Sequence, residues 1–242
     1  MKIPTNHPRR KSLEERELIE KGVEKGIVTP SGMIAHGRGE AFDYLLGEKT
    51  QPEAERQIGA AAAVLLLAER PVISVNGNAT ALCAREIVKL AKVLKAKIEI
   101  NLFYRTPKRV KLVEKEFKKL GAKVLGVKPK KKVPGLDSKR AMVDARGIWG
   151  ADVVLVMFED GDRTEALERM GKIVIAIDLN PMSRTAQKAN LTIVDNVTRA
   201  VPLLARKASE MRKKGDKSLR KTIKNFKNKD LLRKIELRIR RG

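Results

Sequence analysis

Along the middle of the chain, short apolar runs alternate with longer segments whose apolar residues recur every three or four positions. Val72–Val75 is a short apolar run, followed by Asn76, Gly77 and Asn78. Ala79–Leu94 reads as a helix, with Leu82, Ile87, Leu90, Ala91 and Leu94 on one face. Ile98–Phe103 alternates as a strand, and Lys108–Leu120 is again helical, stopping at Gly121. Val124–Val127 predicts another short strand. Asp152–Phe158 and Ile173–Leu179 are continuous apolar runs, as expected for strands covered on both faces, and Leu191–Val194 closes the series. Strands and helices in alternation imply a parallel sheet with crossover connections. The expected fold is therefore α/β: a Rossmann-like three-layer sandwich with a mostly parallel sheet of about six strands. Residues 1–70 are expected as a helical segment packed on the core, 71–205 as the α/β core, and 206–242 as a basic helical extension, all one folded unit.

Charge changes the picture of the tail. The chain carries 53 Lys and Arg against 29 Asp and Glu, a formal +24. Residues 206–242 hold 16 basic and 4 acidic residues, half of that surplus. Such a balance occurs in proteins from hot environments, and it also suits an anionic partner, either a nucleic acid or a phosphorylated small molecule. Yet Leu219, Ile223 and Phe226, and then Leu231, Ile235 and Ile239, recur at helical spacing. An apolar stripe of that kind must be buried, so docking on the same domain or on a second subunit is favoured over nucleic-acid binding. Aromatic residues, the usual stacking groups for bases, make up only 3%. A second basic run, Lys128, Lys130, Lys131 and Lys132, lies between Pro129 and Pro134 and reads as a loop.

Composition then narrows the setting. The hydrophobic fraction of 42% supports a sizeable, aliphatic core. The longest apolar patch, Ile58–Ala68, is too short for a membrane span, and no export signal is visible. Cys83 is the only cysteine, which rules out an internal disulfide or a cysteine metal cluster and fits a reducing, cytoplasmic setting.

In parallel sheets ligands lie beyond the carboxyl ends of the strands. Four loops qualify. After Val75, the segment Asn76, Gly77, Asn78, Ala79 and Thr80 offers a glycine turn and free helix N-terminal amides to an anion, or a helix cap at Asn78 or Thr80. After Phe103, Arg105 and Arg109 flank Thr106, Pro107 and Lys108 at a helix start, where basic side chains gain nothing from the dipole and either invite an anion or form an ordinary solvated basic turn. After Phe158, the carboxylates of Glu159, Asp160 and Asp162 repel one another unless magnesium, a Lys or Arg, or a substrate amine intervenes; N-capping by Asp160 or Asp162 is the alternative. After Ile177, Asp178 and Asn180 suit a ribose hydroxyl or base edge, and Ser183, Arg184 and Thr185 suit phosphate oxygens. Outside the sheet, Gly37 and Gly39 flank Arg38 in a predicted turn that also carries His36 and leads into Glu40 and Asp43.

The stretch GMIAHGRGEAFDYLLGE, Gly32–Glu48, resembles the archaeal phosphopantothenate synthetase family, also called 4-phosphopantoate–β-alanine ligase. So do VVLVMFEDGDRTEALERMGKIVIAIDLNPMSRTAQ (Val153–Gln187), HPRRKSLEERELI (His7–Ile19) and VNGNATAL (Val75–Leu82), and the similarity runs from about His7 to Arg199. The resemblance implies a homodimeric enzyme of coenzyme A biosynthesis. It would join 4-phosphopantoate to β-alanine with ATP, magnesium offsetting the charge, and release AMP and pyrophosphate through an acyl-adenylate. It implies that ATP meets Arg16, Arg38, Asp178, Leu179, Asn180, Arg184, Thr185, Asn196 and Val197. Phosphopantoate is then expected over the first two loops, at Asn76, Gly77, Asn78, Thr80, Thr106 and Arg109. His36, Glu40, Asp160 and Asp162 are the candidates for deprotonating β-alanine, which requires a pKa near the working pH. Two other classes remain open on sequence: a nucleic-acid-binding protein, whose affinity would fall steeply with salt, and a nucleotide sensor that forms no AMP.

Overall fold

The computed structural model describes residues 3–241. Three helices come first: α1 (Arg10–Glu24), α2 (Pro30–Leu45) and α3 (Pro52–Leu67). The core follows as β1 (Val72–Val75), α4 (Gly77–Leu94), β2 (Lys97–Ile100), α5 (Pro107–Lys119) and β3 (Val124–Leu125). After a small ribbon, β4 (Lys131–Lys132) and β5 (Met142–Val143), it continues with β6 (Val153–Met157), α6 (Gly161–Arg169), β7 (Ile173–Ile177), α7 (Arg184–Lys188), β8 (Leu191–Ile193) and α8 (Val197–Met211). Helices α9 (Gly215–Lys224) and α10 (Asn228–Arg241) end the described chain.

Six strands form one sheet in the order β3-β2-β1-β6-β7-β8, each neighbouring pair parallel. This is the expected three-layer α/β sandwich. Ile73, Val75, Ile98, Leu155 and Ile175 pack into a layer with α3, α4, α5 and α8. Val72, Val154, Val156 and Val174 face α6 and the segment around Val133–Ile148. Because both faces are covered, all five residues of β6 are buried and apolar. At about 2 kcal/mol per buried aliphatic side chain, that strand alone gathers on the order of 10 kcal/mol before chain entropy is subtracted. The order reverses between β1 and β6, which leaves a crevice beyond the carboxyl ends of those strands.

Three local expectations change. The predicted turn at His36–Asp43 lies inside α2, which starts at Thr29, whose side chain accepts from Gly32 N at 3.2 Å, and at Pro30. Gly37 and Gly39 cost helix stability, but contacts with α1 and α4 hold the helix. Gly32 is needed for that docking, since a Cβ there would come within 2.5 Å of Asn78 Oδ1. The predicted loop at Lys128–Lys132 ends in β4, which pairs antiparallel with β5. A two-residue edge strand between prolines leaves no periodicity to read. Finally, Asn76, not Asn78 or Thr80, caps α4, with its Oδ1 accepting from Ala79 N at 3.1 Å.

The basic tail docks on its own domain. Leu219 is buried in the main core with Ile223 and Phe226 packed beside it. Leu232 and Ile235 of α10 bury against Leu46, Ala186 and Val194. Among the described residues no helix is long and apolar enough to cross a membrane.

Candidate active site

The crevice between β1 and β6 opens into a cleft of about 550 Å3, within the usual range for small-molecule sites. Its floor is the switch point itself. Asn76 caps α4 with its Oδ1, while its Nδ2 donates to the carbonyls of Met157 at 2.8 Å and Phe158 at 3.2 Å, tying the end of β1 to the end of β6. Phe158 takes a left-handed φ of 49°, an uncommon conformation for an aromatic residue, and turns the chain toward Glu159 and Asp160.

One wall is made by α2, which presents His36, Arg38 and Glu40 to the cleft. His36 is 7% exposed and its Nε2 has no hydrogen-bond partner. Burial lowers its pKa, against the opposing pull of Glu40, so the imidazole is neutral at pH 7. Burial works to raise the Glu40 pKa, but hydrogen bonds from Arg16, Ser12 and Arg9 outweigh it and hold Glu40 at about 2. Arg16 lies outside the cleft lining and donates to Glu40 at 2.6 Å. Arg38 is exposed on the cleft side, and its charge acts on Asp178.

A second wall follows β7 and β8. Asp178 accepts from Asn180 N at 2.9 Å and from the Ser183 hydroxyl, and burial raises its pKa despite those bonds. Leu179, Asn180, Arg184, Thr185, Asn196 and Val197 all line this side. Thr185 Oγ1 donates to the Glu159 carbonyl at 2.9 Å. Arg184 crosses Gly161, where a Cβ would collide with its stem, to pair with Asp162 and, at 2.8 Å, with Glu165. Asn196 caps α8 and donates to Glu15 at 2.8 Å and Asp43 at 2.9 Å, joining a buried network with Asp195 and Arg199.

The third wall follows β2. Arg109 donates to the carbonyls of Ile27 and Tyr104, each at 2.9 Å, and its Nη2 rests over Gly77, where a Cβ would lie 2.7 Å away. Gly77 and Asn78 line the cleft beside it. Arg105 turns away to the carbonyls of Gly126 and Val127. Thr80 and Thr106 do not reach the lining. Thr80 donates to the Asn76 carbonyl at 2.6 Å, and Thr106 caps α5, accepting from Arg109 N at 3.2 Å.

The carboxylates after β6 find their cations within the protein. Asp160 caps α6, accepting from Arg163 N at 2.8 Å, and also accepts from Arg140 at 2.7 Å. Glu159 pairs with both Arg140 and the fully buried Arg163. Asp162, exposed and off the lining, pairs with Arg184. Burial works to raise Asp160, but the Arg140 charge outweighs it and the net shift is downward. With these groups committed to arginines, and no cluster of three or more His, Cys, Asp or Glu among the described residues, the donor set does not fit a resident magnesium site.

The four loops and the His36–Glu40 segment named from sequence thus converge on one cleft. Arg140, Phe103 and Asp195, which are not among the residues expected from sequence, also line it. Asp195 follows β8 as the other site acids follow their strands, a usable signal. Arg140 sits in an irregular stretch among lysines and had none.

The profile of the phosphopantothenate/pantothenate synthetase family matches residues 53–242. A 4-phosphopantoate–β-alanine ligase of Thermococcus onnurineus is 54% identical across 99% of this chain and 93% of its own length. That of Thermococcus kodakarensis is 53% identical, covering 98% and 92%, and that of Methanosarcina mazei 50% identical, covering 95% and 91%. The chain belongs to the phosphopantothenate/pantothenate synthetase family. Family membership covers α3 through α10, so the cleft's second and third walls fall within the matched region, while α1 and α2 are reached by the pairwise similarity.

Proposed function

We propose that the protein is an ATP-dependent ligase of coenzyme A biosynthesis that condenses 4-phosphopantoate with β-alanine. The observation that carries this reading is the single cleft at the switch point, which gathers anion-binding groups on two opposite sides. ATP lies along the second wall, its nucleoside at Asp178, Leu179 and Asn180 and its phosphates toward Arg38 and Arg184. The N-terminus of α8, at Asn196 and Val197, closes that side. Arg16 acts from outside by fixing Glu40 and α2. Phosphopantoate lies over Asn76, Gly77, Asn78 and Arg109, with Thr80 and Thr106 shaping those turns.

The phosphopantoate carboxylate attacks the α-phosphorus of ATP and expels pyrophosphate. The carboxyl oxygen is now bonded to the adenylyl phosphorus. The β-alanine amine then attacks the activated carbonyl, and AMP departs with that oxygen. Holding two anionic substrates in contact is the main task, and the arginines of the cleft lower the charge repulsion in the transition state. Magnesium enters as the counter-ion of the nucleotide phosphates and belongs to that substrate. Of the four base candidates, His36 suits proton removal from β-alanine best, being neutral with a free Nε2. Glu40, Asp160 and Asp162 are held ionised or engaged by arginines.

A homodimer is part of the same proposal. The outer face of α2 leaves Ile34 66%, Tyr44 60% and Leu45 51% exposed, on the helix that carries Arg38.

Incubation with ATP, 4-phosphopantoate, β-alanine and magnesium is expected to release AMP and pyrophosphate in step with amide formation. Absence of AMP with all components present refutes the proposal.

A further inference from the structure

Arg140 is a buried cation with more donors than the protein accepts. It is 5% exposed and stands in the connection between β3 and β6, where Asn101 Nδ2 donates to its carbonyl at 3.0 Å. The guanidinium lies 5.8 Å from the centre of the Phe103 ring. Its Nη1 serves Glu159 and Asp160, its Nη2 comes only within 3.5 Å of the Phe158 carbonyl, and its Nε has no acceptor. Buried donors without acceptors are rare and costly. Across the same end of the cleft, Arg109 Nη2 has no acceptor among the described residues and rests over Gly77 at the start of α4. The two arginines are near enough that Arg140 adds to the burial that already lowers the Arg109 pKa.

The local charge does not close. Arg140 and Arg163 pair with Glu159 and Asp160, Asp162 is taken by Arg184, and Arg109 meets only the carbonyls of Ile27 and Tyr104. A positive excess in a half-buried corner, with guanidinium donors left over, suits an anionic ligand with several oxygens. A phosphomonoester has that chemistry, and the corner lies over the ends of β1, β2 and β6.

We propose that Arg140, with Arg109 opposite it and the first turn of α4 between them, forms the subsite that holds the phosphate of the non-nucleotide substrate. The subsite thereby selects a phosphorylated over an unphosphorylated acid. This rests on the ligase reading above. The arginines grip the end of the acid remote from its reacting carboxylate, which leaves that carboxylate free to face ATP.

The test compares KM and kcat for 4-phosphopantoate and for pantoate, with ATP KM as control, in the wild type and in Arg140→Gln, Arg140→Lys and Arg109→Lys. For Arg140→Gln, KM for 4-phosphopantoate is expected to rise roughly 30-fold or more, while KM for ATP stays within about threefold. The preference for 4-phosphopantoate over pantoate falls by a similar factor, because pantoate never used the arginine. The two lysine variants keep the charge and lose the fork, so they show the same trend more weakly and carry the test if Arg140→Gln does not fold. An undiminished preference in variants whose activity has fallen overturns the proposal and leaves Arg140 as a brace for Glu159 and Asp160. Failure of the wild type itself to form AMP would instead refute the ligase reading.

Discussion

At the scale of single residues, charge and burial decide what each cleft group can do. His36 and Glu40 lie one helical turn apart on α2, yet their environments drive them to opposite uses. Burial keeps His36 neutral with a buried, unpartnered nitrogen, and three donors keep Glu40 ionised at about 2. If His36 takes the β-alanine proton, amide formation should fall as pH drops through a value below its ordinary 6.5, because the protonated ring can accept nothing. The adenylation half-reaction, followed by pyrophosphate exchange, should lack that acid limb. His36→Gln should slow amide formation by about 10²–10⁴-fold and abolish the limb. An unchanged limb in the variant would assign it to another group. Asn76, Arg109, Asp178 and Arg184 could be named from sequence because each follows a buried strand, where the sheet geometry dictates a ligand side. Arg140 could not, because its position depends on Asn101, just past the end of β2, gripping its backbone.

At the scale of elements, what was legible depended on whether periodicity survived. The strands β6 and β7 read clearly because a sheet covered on both faces needs every residue apolar. The ends of β2 and β7 were overestimated because apolar residues run past the last paired position into the cleft, where Phe103 is 49% exposed. Helix α2 was misread because Gly37 and Gly39, which are turn signals locally, are tolerated in a helix that docks on α1 and α4. That same helix turns an apolar face outward. Replacing Ile34 and Leu45 together by Asp should convert a dimer to a monomer in sedimentation analysis with little change in secondary structure. If the wild type sediments as a monomer, the dimer proposal falls, and if the variant stays dimeric the interface lies elsewhere.

At the scale of the whole molecule, the +24 charge divides into parts with different roles. Residues 206–242, from the end of α8 through α10, carry half of it, and the apolar stripes of α9 and α10 close the core, so the tail is a docked layer of the fold. A few arginines turn inward to the switch point, where acids within the protein offset most of their charge and leave a positive surplus for substrates. In the proposed reaction this cleft brings two anions together, and the carboxylate attacks ATP directly. Labelling the 4-phosphopantoate carboxylate with ¹⁸O tests that step most directly. One labelled oxygen should appear in AMP, transferred through the acyl-adenylate and released when β-alanine attacks. Label recovered in inorganic phosphate alongside ADP, or AMP formed without label, would contradict it.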